Sequence, residues 1–237
     1  MKSKSPFILF GLLVAVVVLL AGCTGLQPLP MEAPATDEEA TSDAGMAGPI
    51  HGEAMVISHP ATGAMEPIDG SGQIIRSDEG VMVEMHAMGL EPGNVYTAWW
   101  VIANNPEVCE ADPCSGGDFI GKSADAETVV TYADGVIIDE HGEAHFASFL
   151  PAGEVTDDPW YPENAFVNPT GAEIHLVINS HGPLIPEMAG AMVNSYRAGC
   201  TDDSLPPPFP DTAKADGEPG PNACALVQAA IFQTTME

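Results

Sequence analysis

Residues 81–104 read VMVEMHAMGLEPGNVYTAWWVIAN, two apolar runs separated by the Gly-Leu-Glu-Pro-Gly turn at 89–93. The first run, Val81–Met88, is opened by Glu79-Gly80; the second, Asn94–Asn104, is dense in β-branched and aromatic side chains. Turn residues bound both within a strand's length, so both are expected to be strands. Further outward, Thr128–Asp139 and Glu143–Leu150 are expected to form a hairpin through Glu140-His141-Gly142. Residues 173–180 (EIHLVINS) and Cys224–Gln233 add two strands, and Met55–Ser58 and Gln73–Arg76 two short early ones. Residues 186–196 favour a short helix. Many short strands punctuated by Gly and Pro predict an all-β fold, a Greek-key-type β-sandwich with long disulfide-stapled loops and one short helix. Trp99 and Trp100 are adjacent, so in a strand they face opposite sides; one belongs in the core and the other under a covering loop.

The chain begins with Lys2 and Lys4, an uncharged and mostly apolar run from Pro6 to Leu20, and Leu20-Ala21-Gly22-Cys23. A positive n-region, an apolar h-region and small residues before a cleavage point make a secretory signal. With cysteine at that point, the segment resembles a bacterial lipoprotein signal with its lipobox. The resemblance implies cleavage before Cys23, acylation of Cys23 and a lipid anchor in the cell envelope, facing the periplasm or the exterior. The apolar run is short for a spanning helix, which needs roughly 20 residues. Residues 24–50, rich in Pro, Ala, Thr, Ser, Asp and Glu, cannot build a core and are expected to be a tether. The expected organisation is therefore signal 1–22, lipidated Cys23 with an acidic tether to residue 50, and one β domain over 51–237. About 185 residues are enough for a proper core.

The chain carries 34 acidic against six basic residues, a net charge of −28. Loss of Lys2 and Lys4 with the signal takes this to about −30. Such a surface repels phosphate backbones, which excludes nucleic acid as a partner. The acids are spread rather than set in a Ca²⁺-loop pattern, so they are expected to be solvated surface. Once Cys23 is spent on the anchor, Cys109, Cys114, Cys200 and Cys224 remain, an even number in an oxidising compartment. Three pairings are open. Cys109–Cys114 with Cys200–Cys224 is preferred, because each pair closes a Pro- or Asp-rich loop. A four-thiolate zinc site lacks the paired C-x₂-C spacing it would need.

Chemistry would have to come from the histidines. Strand alternation puts His86 on one face with Met82, Glu84 and Met88, and His86 with Met88 would suit copper. The plainer reading makes Met82 and Met88 core filler and His86 a satisfied, half-buried side chain. His175 and His181 lie about 20 Å apart on an extended strand, so a metal site would have to be cross-strand, His86 with His145 or His175. The candidate metal ligands are thus His86, Met88, His145, His175 and His181. Residues 151–172 and 201–223 fit no strand; the first carries Trp160 and Tyr161 beside acids, candidates for stacking on a sugar or other ligand. No G-x-S-x-G, S-x-x-K, H-E-x-x-H or P-loop pattern occurs. The Gly89–Gly93 turn and Ala133-Asp134-Gly135 are similar to turns of copper/zinc superoxide dismutases, but the H-x-H pair of that family's metal site is missing.

The ordered set GLEPGNVYTAWWVIANNPEVC, GEAHFASFLPAGE, GAEIHLVINSHGP and Ala223–Gln228 resembles a group of uncharacterised secreted bacterial proteins. The resemblance implies a disulfide-bearing extracytoplasmic domain and no particular activity. The expected function is a non-enzymatic binding or structural module on the envelope, with no cofactor, whose partners are the membrane through the lipid and a protein or glycan ligand. The alternative is a copper or other metal-binding protein.

Overall fold

The structure is a computed structural model, described over residues 48–234 apart from 64, 157, 159 and 206–211. The signal, Cys23 and nearly all of the expected tether lie outside the described residues. Eleven strands are laid out as β1 (Ile50–Ala54), β2 (Val56–Ser58), β3 (Gly70–Ser77), β4 (Gly80–Ala87), β5 (Asn94–Ala103), β6 (Thr128–Ile137), β7 (Ala144–Pro151), β8 (Gly153–Glu154), β9 (Ala165–Phe166), β10 (Glu173–Pro183) and β11 (Ala225–Phe232). Two short helices, α1 (Gly116–Gly121) and α2 (Ala189–Met192), interrupt them. Four strands pair in the order β1-β3-β4-β7 as sheet A, and five in the order β2-β11-β10-β5-β6 as sheet B. All these pairings are antiparallel. No helix among the described residues is long and apolar enough to cross a membrane.

The two sheets face each other across one apolar layer. Val81, Val83, Met85 and Ala87 alternate inward along β4, opposite Trp100 and Ile102 of β5 and Ile174, Leu176 and Ile178 of β10. This is the expected sandwich, with the period-2 pattern setting which side chains are interior. Arg76 is a buried charge on the inner face, 3% exposed. Its guanidinium donates to Pro169 O (3.1 Å), Ala172 O (2.8 Å) and Phe232 O (3.0 Å), which ties the far end of β3 to the β9–β10 connection and to β11. Burial pulls its pKa down to about 10.

Several expectations are corrected. β6 and β7 are not a hairpin: β6 pairs with β5 in sheet B and β7 with β4 in sheet A, so the Asp139–Gly142 turn carries the chain from one sheet to the other. The partners are decided across the sandwich: β6 continues the two-faced apolar run of β5, whereas β7 matches the one-faced alternation of β4. At the open edge Asp134 Oδ2 accepts from Ala147 N at 3.1 Å, so the two strands touch through a side chain instead of a ladder. Met82, read as core filler, is 39% exposed, and the methionine of β4 that is buried is Met85. The helix expected at 186–196 shrinks to a 3₁₀ turn at Pro186–Met188 and the four residues of α2. Residues 151–172 do contain strand, the small β8-β9 ladder. Ile50, assigned to the tether, opens β1.

Both disulfides take the preferred pairing, Cys109–Cys114 and Cys200–Cys224. Sheet A turns Gln73, Glu84 and His86 outward. Sheet B does otherwise: nearly every residue of β5 and β10 is buried on both faces, including the polar Glu173, His175, Asn179 and His181 of β10. Strands of that kind need cover on both sides. A third layer of loops therefore lies over the outer face of sheet B, including the segment carrying α2. Gly135 lets that layer come close, since a Cβ there would collide with Val193 O.

Candidate functional site

Trp100 points into the sandwich and Trp99 to the outer face of sheet B, where both are nearly fully buried. Trp99 meets Tyr132 (5.7 Å between ring centroids) and Tyr196 (4.9 Å), both edge to face, and Tyr196 meets Trp160 at 5.7 Å. The covering layer does not close on the sheet here. It leaves a cavity of about 820 Å³ whose floor is made by Trp99, Val101, Val130, Val177, Ala229 and Ile231. That volume lies in the range of small-molecule sites, roughly 300–1,000 Å³.

Two loops form the walls, and each is held by a buried carboxylate. In the first, Ser115 caps α1 in a capping box. Asp118 accepts from Glu110 N (2.7 Å), Ser115 N (2.9 Å) and Ser115 Oγ (2.7 Å). Those bonds, the one from Glu110 foremost, hold its carboxyl well below the usual range. The Cys109–Cys114 disulfide staples the same loop, which brings Phe119 and Ile120 over the cavity. In the second, Asp158 accepts from Trp160 N (2.7 Å), Tyr161 N (2.7 Å) and Val130 N (2.9 Å), which fastens the Trp160-Tyr161 turn to β6. Burial pushes this carboxyl upward against those three bonds. Tyr161 OH then donates to Phe119 O at 3.1 Å, joining one wall to the other.

Polar groups enter the cavity chiefly from β10 and from the 3₁₀ turn Pro60–Thr62. Glu173 and His175 are 4% and 8% exposed. Glu173 Oε1 lies 2.7 Å from His175 Nε2 and accepts from Cys114 N at 2.7 Å, so the stapled loop is also latched to the floor. Phe119 packs edge-on against the His175 ring at 4.9 Å. His59 also lines the cavity; its Nδ1 accepts from Ala61 N at 3.1 Å. Burial first, and the charge of His175 second, lower its pKa to about 4.

The five candidate metal ligands are not one site. His86 and His145 are register partners on the outer face of sheet A, stacked at 4.2 Å between ring centroids and 2° between planes. His86 Nε2 is 3.4 Å from Glu143 Oε2. Met88 follows the end of β4, partly buried, and its carbonyl accepts from Gln228 Nε2. His175 belongs to sheet B, beneath the third layer. His181 is fully buried: its Nδ1 donates to Ala198 O (2.8 Å) and its Nε2 accepts from Thr97 Oγ1 (2.9 Å), which itself accepts from Trp99 Nε1 (2.8 Å). That chain of bonds uses both ring nitrogens, and burial lowers the pKa of His181 to about 4. The close group His181, Cys200 and Cys224 cannot offer two thiolates, because both sulfurs are in the disulfide.

Trp160 and Tyr161 do line the cavity, as part of its mainly apolar walls. His59, Glu173 and Phe119 were not foreseen. Glu173 and His175 share a strand face by their i, i+2 spacing, a signal that was present in the sequence. His59 had none, since its ring reaches the site only through the pairing of β2 with β11. No protein family, curated protein or solved structure matches this chain.

Proposed function

We propose that this chain is an envelope lipoprotein, anchored through Cys23, whose β-sandwich domain is a non-enzymatic binding module for a small, largely apolar molecule. The cavity of about 820 Å³ on the outer face of sheet B carries this reading. Apolar and aromatic side chains from four strands and two loops surround it, and few polar groups interrupt them. An acylated N-terminus would hold such a module beside a source of apolar molecules, and a net charge of −28 keeps it soluble there and selects against anionic ligands.

The test is titration of the mature protein with the neutral apolar dye Nile red, alongside Ala229→Trp, which fills the floor. Nile red should bind the wild type near one equivalent, and the filled variant at least about tenfold more weakly. No saturable binding, or equal binding by both, would overturn the reading. Labelled palmitate should enter the wild-type chain and not Cys23→Ala; labelling of both would remove the anchor from the proposal.

One observation favours a second reading, a copper or zinc site on sheet A: the stacked His86–His145 pair with Glu143 beside it. Elemental analysis after loading should then show one ion per chain, lost in His145→Ala; no bound ion dismisses it.

A further inference from the structure

The polar atoms that line the cavity separate into those already engaged and those left over. Ser115 Oγ donates to Asp118, Tyr161 OH to Phe119 O, and Gln233 Nε2 to the Asp112 carboxylate. Trp99 Nε1 is taken by Thr97 Oγ1. Among the histidines of the lining, two ring nitrogens remain. Because Glu173 Oε1 is the acceptor for both Cys114 N–H and the His175 ring, Nε2 of His175 carries the hydrogen, and Nδ1 is left as an acceptor with no partner among the described residues. His59 is the reverse: Nδ1 accepts from Ala61 N–H, which places the hydrogen on Nε2, a donor with no partner among the described residues. Both rings line the same cavity. Its histidines therefore offer one donor and one acceptor within mainly apolar walls.

We propose that the ligand is a neutral, mainly apolar molecule bearing a hydroxyl group, which accepts from His59 Nε2–H and donates to His175 Nδ1. A hydroxyl supplies one acceptor and one donor on a single atom, which is what the two nitrogens together lack. A carboxylate would bring a second negative charge close to the buried Glu173 within mainly apolar walls, where an unpaired charge is costly. A plain hydrocarbon would leave two ring nitrogens desolvated without partners, and sites built for a hydroxyl discriminate strongly against analogues that lack it. This inference rests on the cavity reading above and names the ligand class that reading leaves open.

The experiment is displacement of Nile red by 2-naphthol, naphthalene and 2-naphthoate at pH 7, on the mature wild-type protein and on His59→Phe, His175→Phe and His86→Ala. The wild type should bind 2-naphthol at least about tenfold more tightly than naphthalene or 2-naphthoate. The naphthol-to-naphthalene ratio should fall to about one in His59→Phe and His175→Phe, and should stay at the wild-type value in His86→Ala, whose ring lies on the other sheet. His59 is outside the core, so His59→Phe reports even if His175→Phe fails to fold. Equal affinity of wild type for naphthol and naphthalene refutes the hydroxyl assignment and leaves the apolar cavity standing. Preference for 2-naphthoate also refutes it, in favour of an acid ligand. If neither Nile red nor any naphthalene binds, both readings fall.

Discussion

Removing the Glu173 carboxylate tests how the floor of the cavity is built. Glu173→Leu leaves two buried donors, His175 Nε2–H and Cys114 N–H, without the oxygen they share at 2.7 Å each. Each buried donor left without an acceptor costs about 1–3 kcal/mol, so the two together cost about 2–6 kcal/mol. At roughly 2–4 °C per kcal/mol for a domain of this size, Tm should drop by about 4–24 °C. In the double variant Glu173→Leu/His175→Phe the stranded imidazole is gone, and the new ring keeps an edge contact with Phe119. Only Cys114 N–H stays unsatisfied, at about 1–3 kcal/mol. The double variant should thus be more stable than Glu173→Leu alone, with a coupling energy of about 2 kcal/mol between the two sites. Urea unfolding of the four proteins, followed by circular dichroism at pH 7, gives the cycle directly. Effects that add to within about 0.5 kcal/mol would show that the 2.7 Å contact is incidental, and the tautomer assigned to His175 would lose its support.

Other consequences follow from the same geometry. Cys200–Cys224 spans 24 residues and Cys109–Cys114 spans five, so paired Cys→Ala replacement should cost about 3 and about 2 kcal/mol respectively; calorimetry that reverses this order would mean that packing, not chain entropy, decides. Arg76→Met strands three carbonyls but removes a costly buried charge, for a net loss of about 2–4 kcal/mol in urea unfolding; a loss below about 1 kcal/mol would show that desolvation cancels its bonds. His181 has a folded pKa of about 4 against 6.5 unfolded, so the unfolded chain binds its proton first and stability should fall as pH drops from 6.5 towards 4. That fall amounts to about 3 kcal/mol from this group, and His181→Gln should flatten that part of the curve of Tm against pH; an unchanged slope would place the acid sensitivity elsewhere.

Much of the sandwich was legible because strand patterning is local. β4, β5, β10 and β11 fall within a few residues of where turn residues and apolar runs put them, and the adjacent tryptophans divide between the two faces as alternation requires. Local pattern does not say which strand a given strand will pair with. The Asp139–Gly142 turn looks like a hairpin turn, yet β6 and β7 part company there because each finds a better-matched partner in a different sheet. The cross-strand meeting of His86 with His145 was one of two pairings the spacing allowed, and register alone selected it. The cavity was hidden for a further reason. Its floor is encoded by strands buried on both faces, a pattern equally consistent with a closed core. Whether the covering layer closes is fixed by how Asp118 and Asp158 hold their loops, through backbone bonds that leave no periodic trace in the sequence.

The division of labour between the two faces of sheet B explains why binding is assigned to this face and not to the sandwich interior. The interior is filled by Trp100, Phe146, Phe166, Leu176 and their neighbours, and a ligand there would have to displace side chains that hold the sheets together. The outer face asks less. Its cover consists of loops fixed at a few points, the Cys109–Cys114 staple, the Cys114 N–H latch on Glu173 and the Asp158 clamp, and none of these is a strand of either sheet. Residues between those points can change in size without disturbing the register of β5 on β10. A fold arranged in this way can keep its sheets constant while the cavity is reshaped by loop side chains such as Phe119, Ile120 and Trp160. The His59 and His175 nitrogens, fixed by the 3₁₀ turn Pro60–Thr62 and the β10 backbone instead of by the loops, would then set the ligand's polar end while the walls set its length and width.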